Sequence, residues 1–283
     1  MSLSVAERAD LLAVLLGREI DDESVVVMGT STPLTAVAVL FALANHAPKA
    51  SYATPLAGGL SVAPHQLTLG SLERAAYDHA LLRSAQIIDL WELATINPRT
   101  ADRWLQFFRP AQMDRTGNMN NSRVRRPDGS WLQLPGSVGI SDMAAYYPRL
   151  FAYVTRHDVR TFPEHVDFIS APGTLGTVED RAGRGLRWGR PFRVYTDLAV
   201  LEFDDAGLMV LKSIHPGVSI VEVRAATGFA LETDGVRTTE APTEAELAAL
   251  RSVDPEGLRR LELLPARERR EVVVAALTRE GHL

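Results

Sequence analysis

The sequence predicts an α/β fold, an open and mostly parallel sheet with flanking helices and an antiparallel portion. Three stretches carry that prediction. Residues 24–28 (SVVVM) hold a continuous β-branched run, the pattern of a strand buried on both faces. The run ends at Gly29, and Thr32 and Pro33 then open a helix to about Asn45, with Thr32 as N-cap and Pro33 at the first helical position. This strand, turn and helix make the βα half of a parallel unit, whose carboxyl end is where ligands usually bind. Far downstream, residues 192–196 and 200–203 read as strands. Residues 204–207 (DDAG) read as a hairpin connection into a strand at 208–214, which supplies the antiparallel portion.

The remaining elements follow in order. Residues 4–18 place apolar side chains at 5, 9, 11, 12, 15 and 16, a helical spacing with Ser4 as N-cap and Glu7 completing a capping box. Residues 49–54 read as a strand, and the loop 55–64 (PLAGGLSVAP) has no ionisable side chain. Residues 71–82 read as a helix, 85–90 as a strand or helix, and 100–106 as a short helix. Residues 123–131 form a polar excursion turning at Asp128 and Gly129. Strands are expected at 150–154 and 166–169. The glycine- and arginine-rich stretch 171–189 is expected to be a long loop, a lid or a partner contact. Ser219 caps a helix to about Ala226, and helices follow at 243–251 and 265–278. Residues 1–260 read as one domain and 261–283 as a C-terminal helical extension.

Composition narrows the function classes. The 283 residues include 46% hydrophobic and 23% charged residues and carry a formal charge of −5. That is ordinary globular composition, without the basic face that nucleic-acid binding by counterion release requires. With no cysteine, disulfides, thiolate nucleophiles and cysteine-ligated metals are excluded. The amino-terminal stretch carries Glu7, Arg8 and Asp10 among its apolar residues, so it reads neither as a signal peptide nor as a spanning helix. A cytoplasmic protein is expected, with no nucleic-acid or membrane partner. Arginines cluster at Arg123, Arg125 and Arg126 and again at Arg181, Arg184, Arg187 and Arg190; both clusters read first as solvated faces and second as anion sites.

Two polar turns between residues 111 and 142 are the candidate site. In AQMDRTGNMN (111–120), Gln112 and Asp114 alternate and should share a face, with a turn from Asp114 to Asn118. In LPGSVGISD (134–142), Gly136 and Gly139 flank Ser137 and Val138, where missing Cβ atoms let backbone amides meet developing negative charge. By local pattern alone both are tight turns more often than site loops.

The combination is more specific than its parts. AQMDRTGNMN followed by LPGSVGISDMA resembles paired turns in the β subunits of the glutaconate CoA-transferase type of family I CoA-transferases. The likeness continues through VDFISAPG (166–173), RVYTDLAVLEFD (193–204), SIHPGVSIVEV (213–223) and ATGFAL (226–231), with VVVMGTSTPLTAV upstream. The resemblance implies an open fold related to sugar-phosphate isomerases, an α subunit completing the site in an αβ or α2β2 assembly, and acyl-CoA substrates. Coenzyme A would enter as part of the substrate, with no tightly bound cofactor. It also implies an oxyanion loop at Gly136, Ser137, Gly139 and Ile140. Gln112, Asp114, Asn118, Asn120, Gly58 and His65 are the substrate-binding candidates.

The sequence departs from the family where a glutamate nucleophile is expected, in the stretch SYATPLAGGLSVAP. Pro55 or Leu56 occupies that position, and neither can attack a thioester. Val138 stands where the family has a further glycine. The steroid ring-opening branch of the family, which hydrolyses a carbon–carbon bond, resembles the chain in its HPGV segment and in APTEAELAALRSVDPEGLR. The expected function is therefore a CoA-thioester enzyme subunit lacking the usual nucleophile. The alternatives are a true transferase using another carboxylate, Asp114 or Glu92, and a non-catalytic CoA- or partner-binding subunit. His215 reads as structural beside Pro216 and Gly217, and His157 and His165 show no metal-ligand spacing.

Overall fold

A computed structural model describes residues 3–29, 32–54, 59–61, 63–69, 80–82, 102–137, 139–186 and 191–283. These residues form two compact units, one of Phe107–Glu240 and the other of Leu3–Gln106 with Ala241–Leu283. The fold is a mixed α/β sheet with flanking helices, as the sequence predicts.

In the unit that contains the amino-terminal residues, α1 (Val5–Gly17) opens on the expected capping box. Ser4 N donates to Glu7 Oε2 at 2.8 Å, and Glu7 N donates to Ser4 Oγ at 3.3 Å. β1 (Val25–Val27) is wholly buried. α2 (Pro33–Asn45) carries Pro33 at its start and buries eleven residues, from Pro33 to Leu43. Thr32 does not cap it as expected, because its hydroxyl donates to Gly29 O at 3.0 Å. β2 (Ser51–Thr54) pairs with β1 in parallel and β3 (Gly59–Ser61) pairs with β2 antiparallel. β4 (Ala80–Leu82) continues antiparallel, and β5 (Trp104–Phe108) pairs with β1 in parallel, giving the order β5-β1-β2-β3-β4.

Two helix expectations fail here. Residues 104–106 belong to β5, and 80–82 to β4. A short apolar run fits either period, and partner strands decided for the extended form. The expected helix at 71–79 and the segment 85–90 lie outside the described residues, as does Glu92.

In the unit of residues 107–240, two hairpins come first. β6 (Gln112–Met113) pairs with β7 (Met119–Asn120), and β8 (Arg123–Arg125) pairs with β9 (Trp131–Gln133) around the turn foreseen at Asp128 and Gly129. α3 (Ile140–Tyr146), β10 (Arg149–Tyr153), α4 (Val178–Gly183), β11 (Pro191–Tyr195), β12 (Ala199–Phe203), β13 (Met209–Ile214), α5 (Ile220–Ala225) and β14 (Arg237–Thr238) follow. Their order is β14-β13-β12-β11-β10, with β10 and β11 parallel, β11, β12 and β13 successively antiparallel, and β13 and β14 parallel. The antiparallel connection at 204–207 is as predicted. Met113, Met119, Ile140, Leu150, Phe162, Leu201 and Met209 lie in its core.

Two more expectations are corrected in this unit. Residues 166–169 are not a strand: Asp167 N donates to a side chain, Gln112 Oε1 at 3.1 Å, and Ile169 is 55% exposed. The stretch 171–189 contains a helix, α4, with its own Thr177–Asp180 capping box.

Residues 241–283 return to the amino-terminal unit. They contribute α6 (Glu244–Val253), a 3-10 turn at Leu258–Glu262 and α7 (Ala266–Arg279). Arg18 Nε lies 2.7 Å from Glu246 Oε1, and Arg259 bridges Asp10 and Asp254 at 2.6 and 2.7 Å. Among the described residues no helix is long and apolar enough to cross a membrane.

Candidate functional site

The first central turn is built by the alternation of a strand pair. Cross-strand register sets Gln112 opposite Asn120 and Met113 opposite Met119. The pleat sends the two methionines, both fully buried, into the core and leaves the amides on the other face. Asn120 Nδ2 donates to Gln112 Oε1 and to Arg123 O, each at 2.7 Å. Gln112 Nε2 donates to Asp167 Oδ2 at 2.9 Å, and that carboxylate also accepts from Arg125 N at 3.0 Å.

Asp114 is 5% exposed and held by its own turn. It accepts from Thr116 N at 3.0 Å, Thr116 Oγ1 at 2.8 Å, Asn118 N at 3.2 Å and Asn118 Nδ2 at 3.0 Å. Asn118 Oδ1 in turn accepts from Gly173 N at 2.9 Å. Gly173 is required there because a Cβ would fall 2.0 Å from Thr116 O and 2.5 Å from Gly117 C. Gln112 and Asp114 thus belong to separate networks rather than to one open face. Four substrate-binding candidates, Gln112, Asp114, Asn118 and Asn120, already spend polar atoms inside the chain.

The second turn differs. Gly136 adopts φ +107°, a conformation that favours glycine, and its amide donates to Asn121 O at 2.9 Å. Ile140, 1% exposed in the core, fixes the start of α3, and its amide donates to Ser137 O at 2.8 Å. Gly139 sits at the N-cap position of that helix. Among the described residues the amides of Ser137 and Gly139 meet no acceptor. Val138 lies outside the described residues.

In the other unit, His65 is half-buried, with Nδ1 2.9 Å from Gln66 O and its ring 6.5 Å from that of Tyr52. Pro55, Leu56 and Gly58 lie outside the described residues. At the expected βα ligand locus the chain places an anion of its own: Leu34 N, in the first turn of α2, donates to Glu262 Oε1 at 3.0 Å. A carboxylate at a helix start is favoured by the free amides and the helix dipole.

The arginine clusters are not simply solvated. Arg181 is 4% exposed, its guanidinium donating to Gly173 O at 3.3 Å and Thr174 O at 3.2 Å. Arg123 Cζ lies 4.4 Å from the centroid of Trp131 and 4.8 Å from that of Phe168, as a cation stacked on aromatic faces. Sequence reading also missed the part played by Asp167, which no local pattern marks because its partners lie in the two hairpins.

Both buried histidines are structural. His157 Nδ1 is 3.0 Å from Thr196 Oγ1, and Nε2 is 3.0 Å from Thr227 Oγ1. Thr227 spends its hydroxyl proton on Val223 O at 2.8 Å, so His157 Nε2 is the donor to it. His215 Nε2 donates to Thr196 O at 2.8 Å, and Nδ1 faces Thr239 Oγ1 at 2.9 Å. Burial pushes both imidazoles down to about 4, with the neighbouring His215 adding to the effect on His157 and Asp158 opposing it.

No protein-family model matches the chain. Over 253 residues it is 26% identical to the B subunit of glutaconate CoA-transferase from Acidaminococcus fermentans, covering 87% of this chain and 92% of that one. It is 32% identical over 161 residues to the B subunit of 3-oxoadipate CoA-transferase from Pseudomonas knackmussii, covering 53% of this chain. It is 34% identical over 160 residues to the cholesterol ring-cleaving hydrolase IpdB subunit of Mycobacterium bovis, covering 54% of this chain. The match spans 61% of the length of each of these two relatives. Among solved structures, the fold superposes on glutaconate coenzyme A-transferase of Acidaminococcus fermentans with a TM-score of 0.75 at 24% identity, over 88% of this chain and 95% of that one. It superposes on the decarboxylase AibA/AibB with a TM-score of 0.72 at 26% identity, over 89% and 96%. Motif order, the near full-length similarity to the glutaconate enzyme's B subunit and the shared fold agree in likening the chain to the B subunits of CoA-transferases.

Proposed function

We propose that the chain is the B-type component of a heteromeric acyl-CoA-thioester enzyme that forms no glutamyl-CoA intermediate of its own, and that its reaction is hydrolytic cleavage of a carbon–carbon bond in an acyl-CoA. The observation that carries this reading is the stretch 55–64, which has no carboxylate where the resemblance places the family's nucleophile. The similarity to the ring-cleaving hydrolase subunit supports the hydrolytic class. In this reading a second, A-type subunit supplies the catalytic carboxylate, in keeping with the two-component names of related structures, AibA/AibB and IpdAB. The amides of Ser137 and Gly139 are the donors left to hold a carbonyl oxygen as negative charge develops on it. Preorganised amides of this kind supply about 3 kcal/mol each in enzymes where they have been removed.

A transferase reading draws on the similarity to the 3-oxoadipate and glutaconate enzymes. It needs another carboxylate, and Asp114, with four hydrogen bonds inside its own turn, is a poor nucleophile. The test is to co-express the chain with its A-type partner, incubate the complex with acyl-CoA and trap with borohydride or hydroxylamine. Trapped adduct on the partner or on neither subunit, with hydrolysis product accumulating, is the expected result. A CoA adduct on this chain, or label exchange between two acyl-CoA pools, overturns it.

A further inference from the structure

Gln106 is a buried amide whose oxygen, Oε1, has no hydrogen-bond partner among the described residues. It sits in β5 at 5% exposure. Oxygen and nitrogen of a carboxamide are interchangeable by rotation, and no hydrogen bond of this side chain is found among the described residues. A buried polar group left unsatisfied costs about 1–3 kcal/mol, and a native protein keeps one only where something compensates.

Its position says what that compensation is. Register places Gln106 beside Val27 on β1, and Val27 beside Ala53 on β2. Aligned residues of neighbouring strands point to the same face of a sheet, so the carboxamide stands in a row with a valine and an alanine, neither of which has a polar side-chain atom. Val27 is the last residue of β1 and Ala53 the last but one of β2. The row therefore lies at the carboxyl ends of parallel strands, where open α/β sheets bind ligands. The start of α2 nearby is already occupied by Glu262, so that end of the sheet takes no further anion there. A neutral group offering both a donor and an acceptor suits a neutral partner of the same kind.

We propose that Gln106 is a ligand-contact residue whose carboxamide pairs with a secondary amide of the pantetheine arm of a CoA thioester. This rests on the CoA-thioester reading above. The ligand would supply the missing hydrogen bond, so the group's cost falls on the free chain and is recovered on binding. A structural glutamine behaves in the opposite way, because removing it loses stability and leaves binding alone.

The experiment uses the full chain in complex with its A-type partner and compares wild type with Gln106→Met, a substitution of similar volume without hydrogen-bonding capacity. Calorimetric titrations are run with coenzyme A, 4′-phosphopantetheine and adenosine 3′,5′-bisphosphate, and thermal unfolding is recorded for both proteins. The expected result is a loss of about tenfold in affinity for coenzyme A and phosphopantetheine, the worth of about 1.4 kcal/mol. Affinity for the bisphosphate is unchanged and the unfolding temperature is unchanged or higher. Equal binding of coenzyme A by both proteins, or a variant that unfolds earlier with unaltered affinity, overturns the proposal while the CoA-thioester reading stands. A wild-type complex that binds neither coenzyme A nor phosphopantetheine overturns both. Gln106→Glu, of the same shape, checks the outcome by a second route: it should weaken pantetheine binding further, whereas a purely steric role would leave it unchanged.

Discussion

His157 and His215 are joined through one residue, Thr196, whose hydroxyl lies 3.0 Å from His157 Nδ1 and whose carbonyl accepts from His215 Nε2 at 2.8 Å. The Thr196 hydroxyl already accepts from Leu198 N and Ala199 N. A proton on His157 Nδ1 would press a third donor onto it. The pair ties the end of β11 to the helix end at Thr227 and to Thr239 after β14.

This pair predicts acid lability. Each histidine titrates at about 4 in the folded chain and near 6.5 when unfolded. The unfolded state therefore takes up protons first as pH falls below 6.5. Stability is complete above that value and declines toward pH 4, by roughly 1.4 kcal/mol per pH unit for each histidine, or roughly 2 kcal/mol each at pH 5. Urea unfolding at pH 7.5, 6 and 5 checks it. His157→Gln should be less stable at pH 7.5 yet lose stability with pH about half as steeply. A slope unaltered by the substitution would assign the acid sensitivity elsewhere.

Gly173→Ala should destabilise the unit of residues 107–240 by at least about 2 kcal/mol, because the added methyl meets backbone rather than a movable side chain. Gly129→Ala is the control, with φ +81° but nothing within 4 Å of its Cβ. It should cost about 1 kcal/mol, from backbone strain alone. Denaturant midpoints at constant m-value compare the two.

Asp114 separates a structural from a catalytic carboxylate. Asp114→Ala strands the donors of Thr116 and Asn118 and should lower stability by about 2–3 kcal/mol. Asp114→Asn keeps an acceptor for the backbone amides and should retain most of the stability. It should also keep turnover by the complex within about threefold, whereas loss of a nucleophile would cost orders of magnitude. Steady-state rates beside unfolding midpoints distinguish the cases.

Glu262 makes the start of α2 an anion site filled from within. Glu262→Ala should cost about 1–2 kcal/mol by removing the partner of Leu34 N in a buried setting. Inorganic phosphate should raise the unfolding temperature of that variant and leave the wild type unaffected. A wild type equally stabilised by phosphate would show that the carboxylate does not hold the site.

What the sequence determined by itself is what neighbours along the chain decide. Ser4 and Glu7 are three residues apart and close a capping box wherever the helix goes. Three consecutive valines in SVVVM favour a buried strand, which forms at Val25–Val27, and the turn at 204–207 reverses the chain by its own composition. The resemblance to CoA-transferase B subunits is also written in order and spacing, because motifs survive when read one after another. Tertiary structure alone decided the rest. Residues 104–106 became strand because β1 offered a parallel edge. Gln112 and Asn120 looked like open contacts, yet Asp167, far along the chain, pairs with Gln112 and closes the network. In the turn expected to hold an oxyanion, the partners Asn121 and Ser137 took the amides of Gly136 and Ile140 and, among the described residues, left those of Ser137 and Gly139. A polar side chain shows its chemistry in the sequence but not whether that chemistry is already spent, because the partner that spends it is brought near only by the fold.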